Sequence, residues 1–88
     1  MGVDFIGNSL QEFCEWASKN RKLFYKIMKL IEDIKRNGHK GEGKPEALSG
    51  NYAGWWSRRI DDKNRLVYRI LDNGNIEIRL CSGHYNDK

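Results

Sequence analysis

Arg65-Leu66-Val67-Tyr68-Arg69-Ile70-Leu71, then Asp72-Asn73-Gly74-Asn75, then Ile76-Glu77-Ile78-Arg79-Leu80-Cys81: the reading of this stretch decides the fold. Two runs rich in β-branched and aromatic residues flank four turn-forming residues, the pattern of a β-hairpin. Alternation in the second run sends Ile76, Ile78 and Leu80 to one face, where a core belongs. In the first run Leu66, Tyr68 and Ile70 form the inward set, leaving Arg65, Val67 and Arg69 outward. A third run, Trp55 to Ile60, precedes them across a second turn cluster, Asp61-Asp62-Lys63-Asn64. Three such runs joined by tight turns predict an antiparallel meander.

Upstream the apolar period changes. Leu23, Phe24, Ile27, Leu30, Ile31 and Ile34 recur at helical spacing between Asn20, a capping residue, and Asn37-Gly38, a common helix end. Before it, Ser9-Leu10-Gln11-Glu12 has the capping-box form, followed by an apolar stripe of Leu10, Phe13, Cys14 and Ala17. Val3 to Gly7 has the composition of a short strand. Residues 38–54 hold five of the nine glycines and the only proline, Pro45, and are expected to form a long loop. The predicted class is α+β: two N-terminal helices packed on one face of a small antiparallel β-sheet, the other face open. Strict alternation past Leu80 would carry His84 to the helix side, so a break at Gly83 is expected if His84 is to reach the open face.

Eighty-eight residues make one small domain, 1–88, without room to enclose a large cofactor. No stretch approaches the ~18–20 apolar residues of a membrane span, and the first residues lack signal-peptide character, so a cytoplasmic protein is expected. Cys14 and Cys81 lie among apolar neighbours with no zinc-ligand spacing, which predicts two small buried thiols, no disulfide and no metal site. The net charge of +4 is unevenly placed: residues 19–69 carry fourteen Lys and Arg against six acids. That segment suits a phosphate-bearing partner, although a solvated basic helix face has the same composition.

The outward set places Arg65, Arg69, Arg79 and one of Arg58 and Arg59 on the open face. Arginine forks match phosphate and indoles stack on bases, so this face with Trp55 is a candidate RNA platform. RNA can be cut without a metal or other cofactor by a general base, a cation and a general acid. Glu46, Arg65 and His84 are residues of the required types, but each alone is also an ordinary surface residue.

Four ordered blocks go further: Gly41-Glu42-Gly43-Lys44-Pro45-Glu46-Ala47-Leu48, Gly54-Trp55-Trp56-Ser57-Arg58-Arg59-Ile60, Arg65-Leu66-Val67-Tyr68 and His84-Tyr85. Together they resemble the YoeB/Txe family of bacterial toxins, within the RelE superfamily. The resemblance implies a microbial-RNase-like fold and a ribosome-dependent mRNA endonuclease that cuts in the decoding site and blocks translation. It implies mRNA and the ribosome as partners and neutralisation by a YefM/Phd-type antitoxin; a homodimer is left open. Carried over by motif, Glu46 is the general base, His84 the general acid, Arg65 the holder of the scissile phosphate, and Tyr85 an orienting or stacking group. Lys44, Arg58 and Arg59 would bind RNA or ribosomal phosphate, with Trp55 and Arg69 beside them. Asn64 departs from the histidine common before Arg-Leu-Val-Tyr, and His39 from a commoner aromatic. A non-catalytic RNA- or ribosome-binding module, or a purely protein-binding one, would use the same arginine face.

Overall fold

The computed structural model describes residues 2–83. Its elements are β1 (Val3–Phe5), α1 (Ser9–Lys19), α2 (Arg21–Asn37), β2 (Glu46–Ala47), a 3₁₀ turn (Gly50–Tyr52), β3 (Trp56–Arg59), β4 (Arg65–Ile70) and β5 (Ile76–Leu80). The strands form one sheet in the order β1-β5-β4-β3-β2. β3, β4 and β5 make the expected meander, and β2 adds an antiparallel edge. β1 pairs with β5 in parallel, Val3 opposite Ile76, so the sheet is mixed rather than wholly antiparallel. The α+β class stands, with both helices on one face.

α2 starts as its sequence predicts: the Asn20 side chain accepts a hydrogen bond from Leu23 N at 3.2 Å. It ends at Gly38, whose φ of 65° a side chain would resist. Ile27, Leu30, Ile31 and Ile34 are buried on its sheet-facing side. They meet Leu66, Tyr68, Ile76 and Ile78 from the strands. Each such side chain removed from water contributes about 1.5–3 kcal/mol, so this seam anchors the domain. Phe5, Phe13 and Phe24 stack in series, with centroids 5.2 and 4.6 Å apart, and join β1, α1 and α2.

α1 uses a different face from the predicted one. Leu10 and Cys14 are exposed, so Cys14 is not the buried thiol expected. The packed side carries Ser9, Glu12, Phe13 and Trp16. Ser9 and Glu12 do not cap the helix. The Ser9 hydroxyl lies 2.8 Å from both Ile6 O and Ile78 O. Glu12 Oε1 accepts from Cys81 N at 2.9 Å, and Trp16 Nε1 donates to Cys81 O at 2.8 Å. These bonds satisfy backbone groups at the end of β5, and polar anchoring has rotated the helix away from its apolar stripe.

The second departure is in β5. Tyr68 pairs with Ile78, but Val67 pairs with Leu80, so Arg79 is the extra residue of a β-bulge. Leu80 therefore packs with Val67, Trp55 and Leu48 on the open face, and not in the helix-side core as alternation predicts. Cys81 enters that core instead. A break in alternation thus falls at Arg79, ahead of the one expected at Gly83. Gly83 has a φ of 80° and ends the described chain in a left-handed turn.

Candidate active site on the open sheet face

Side chains of paired residues share a face, so the register defines the site. Glu46 lies opposite Ser57, and Ser57 opposite Val67, forming one row across the open face. Arg59 lies opposite Arg65 in the next row. Glu46 from β2, Arg59 from β3 and Arg65 from β4 are thereby brought to neighbouring positions on one surface. Glu46 and Arg59 are exposed. Lys44, also exposed, sits two residues before Glu46 in a left-handed conformation with φ 53°.

Arg65 is held more tightly, at 9% relative exposure. Its Nη1 donates to Asp61 O at 2.6 Å and Asn64 O at 3.1 Å. That turn is built by the Asp61 carboxylate, which accepts from Lys63 N, Asn64 N and Asn64 Nδ2. Burial works to raise the Asp61 pKa, but these hydrogen bonds outweigh it and keep the carboxyl below its ordinary range. Asn64 also reaches the last described residue, accepting from Gly83 N through Oδ1 at 2.7 Å. Arg65 N donates to Gly83 O at 2.9 Å. The chain is therefore fixed beside Arg65 one residue before His84. His84 and Tyr85 themselves lie outside the described residues.

Farther along the face, the Arg69 guanidinium stands 4.4 Å from the centre of the Trp55 ring and bonds Glu77 Oε1 at 2.8 Å. Arg79 lies over both Tyr52 and Trp55, at 4.6 and 5.4 Å. Trp55 is 6% exposed. It is a packing residue covered by arginines, which corrects its reading as an open platform for bases.

Arg58 needs the larger correction. It lies opposite Leu66 on the helix side of β3 and has no exposed surface, so it cannot contact RNA as expected. Its guanidinium pairs with Asp33 of α2 and donates to Gly38 O at 2.6 Å, Lys40 O at 3.0 Å and Glu42 O at 3.1 Å. The hydrogen bond from Arg58 holds the Asp33 carboxyl below its usual pKa. His39, which stands in place of a commoner aromatic, stacks on Trp56 at 3.9 Å and lies 3.4 Å from the Tyr68 hydroxyl. Burial, then the Arg58 charge, lowers its pKa. Sequence reasoning also missed Asp61 as the builder of the Arg65 turn; its signal was the turn cluster it begins.

The same blocks match a known family: residues 5–85 fit the model of the YoeB-like toxin of bacterial type II toxin-antitoxin systems. The chain belongs to the YoeB family of toxins. Toxin YoeB of Streptomyces coelicolor is 45% identical over 73 residues, covering 83% of this chain and 87% of that one. Among solved structures, the YoeB/ParE toxin of Agrobacterium tumefaciens superposes with a TM-score of 0.92 at 36% identity, over 97% of this chain and all of its own. The Staphylococcus aureus YoeB, solved in complex with YefM, gives 0.88 at 38% identity, over 97% and 98% of the two chains. It has also been solved as a dimer. This chain is thus a type II toxin of the YoeB type, with the family's fold.

Proposed function

We propose that this YoeB-family toxin is a ribosome-dependent mRNA endonuclease that needs no metal or other cofactor. The observation that carries the proposal is the convergence of Glu46, Arg59 and Arg65 on one open face, with the backbone of Gly83 fixed against Arg65. In the proposed reaction Glu46 takes the proton from a ribose 2′-hydroxyl. The oxygen attacks the adjacent phosphorus, and Arg65 stabilises the charge on the phosphoryl oxygens. The bond to the 5′-oxygen breaks as His84 protonates it, leaving a 2′,3′-cyclic phosphate and a 5′-hydroxyl. Tyr85 orients the substrate. Arg59 and Lys44 hold neighbouring phosphates, and Arg69 extends the basic surface. An open sheet face cannot align a flexible RNA by itself, and the ribosome supplies that alignment in the decoding site.

The partner that neutralises it is a YefM-type antitoxin laying an acidic segment over the arginine face, and the toxin acts in the cytoplasm. The S. aureus complex and dimer support an antitoxin partner and self-association. The test is to map mRNA 5′ ends in a translating extract with wild-type, Glu46→Gln, Arg65→Ala and His84→Ala proteins. The expected result is new 5′-hydroxyl ends with wild type only, while all four bind ribosomes. Binding without cleavage by the wild type would instead make the domain a ribosome-binding module.

A further inference from the structure

Arg58 stands between Ser57 and Arg59, both on the proposed catalytic face, yet its own side chain leaves the sheet on the other side. There it meets the segment that runs from α2 to β2. Three alternate residues of that segment, Gly38, Lys40 and Glu42, each present a carbonyl to its guanidinium. Asp33 completes the arrangement, since its Oδ2 pairs with Arg58 and also accepts from Glu42 N at 3.1 Å. The segment is thus wound around an ion pair. Two glycines allow the close fit. A Cβ on Gly41 would run into the Asp33 carboxylate, and one on Gly43 would stand 3.1 Å from Arg58 Cβ, Arg59 O and Leu30 Cδ2. Gly43 O then accepts from Arg59 N at 2.7 Å. Lys44, Pro45 and Glu46 follow directly. A left-handed lysine before a proline persists only where its surroundings fix it.

We infer that Arg58 is a positioning residue: with Asp33 it clamps residues 38–43 and so fixes Glu46 opposite Ser57. The inference rests on the reading of Glu46 as general base. Arg58 touches no substrate; it acts from behind the sheet, through the backbone. A lysine could supply the charge but not the planar fork that reaches a carboxylate and three carbonyls together.

The test compares Asp33→Asn, Gly41→Ala and Glu46→Gln with wild type by amide hydrogen exchange, ribosome binding and single-turnover mRNA cleavage. In Asp33→Asn and Gly41→Ala, protection should be lost at residues 40–47 and lowered but retained in α2 and β3 to β5. Ribosome affinity should stay within about twofold, while the cleavage rate falls about 10²-fold, the cost of a misplacement near 1 Å. Wild-type cleavage in both clamp variants would overturn the inference. So would lost cleavage with loop protection intact, or global loss of protection, which would make the pair an ordinary core element. Glu46→Gln separates the two readings. If it cleaves at the wild-type rate, the assignment of the base fails, while hydrogen exchange still decides whether the pair orders the segment.

Discussion

Arg58→Met and Arg59→Met make the same change at adjacent positions and should have opposite effects. Methionine matches the arginine stem out to Nε, so the stem packing is kept at position 58 and the loss is the guanidinium group. The carbonyls of Gly38, Lys40 and Glu42 lose the guanidinium, at about 1 kcal/mol each for partly buried acceptors. Removing one member of a buried ion pair costs about 3–5 kcal/mol in all. An 88-residue chain has roughly 4–13 kcal/mol of stability in total. The loss is therefore a large part of the whole, and the melting temperature should fall by about 12 °C or more. Arg59 is exposed, so its replacement should stay within about 0.5 kcal/mol of wild type. Its cost should appear in function: weaker ribosome binding, with the salt dependence reduced by about one phosphate contact. Urea titration followed by circular dichroism reads the first effect, and binding at several salt concentrations the second. An Arg58→Met protein within about 1 kcal/mol of wild type would refute the account of the buried guanidinium.

Acidification should destabilise the fold in two stages. Native His39 resists protonation below its ordinary 6.5, so the unfolded chain binds that proton first and stability falls as pH drops through this value; His39→Phe should abolish this stage in urea titrations. Asp33, held low by Arg58, contributes stability above the usual carboxylate range that is lost as pH falls through its lowered native value, a stage Asp33→Asn should remove. Burial, reinforced by Glu12, pushes the Cys81 thiol up to about 12, while Cys14 is exposed. A thiol reagent should therefore label one cysteine in the native protein and both in urea, and rapid native labelling of both would contradict the packing. Ser9→Ala should cost about 1–2 kcal/mol by removing the hydroxyl between Ile6 O and Ile78 O; a melting temperature unchanged from wild type would count against that role.

Where one physical signal dominated, the fold was legible in the sequence. The 3.6-residue period of α2, its Asn20 cap and the turn clusters around β4 all mark elements that the structure contains. The paired arginines were half legible. Trp56, Arg58 and Ile60 alternate onto one face, and two of them are apolar, so alternation alone would have put Arg58 inside. The family resemblance assigned it to RNA instead, and the compensating carboxylate and carbonyls come from residues 16–25 positions away in the chain. The bulge was hidden because Ile76, Ile78 and Leu80 spell a regular strand whether or not Arg79 is looped out. Ser9 and Glu12 fit a capping box, and only the arrival of β5 turns them outward from that role. β2 is two residues long within a glycine-rich loop, too short for any period to show. The family blocks supplied the candidate site residues, while the register of the strands explains how Glu46, Arg59 and Arg65 come to neighbouring positions.

β5 lies between β1 and β4, although it is the last strand described in the chain. Its parallel pairing joins Val3 to Ile76, and the buried groups of α1 find their partners there too. A polypeptide is made from its first residue onward. The helices and the first strand of this toxin must therefore wait, with their aromatic faces uncovered, until residues 76–81 have been synthesised and have emerged. A protein proposed to attack translating ribosomes thus cannot assemble early on the ribosome that is making it. A chain interrupted before β5 lacks the strand that joins β1 and α1 to the strands carrying the candidate site.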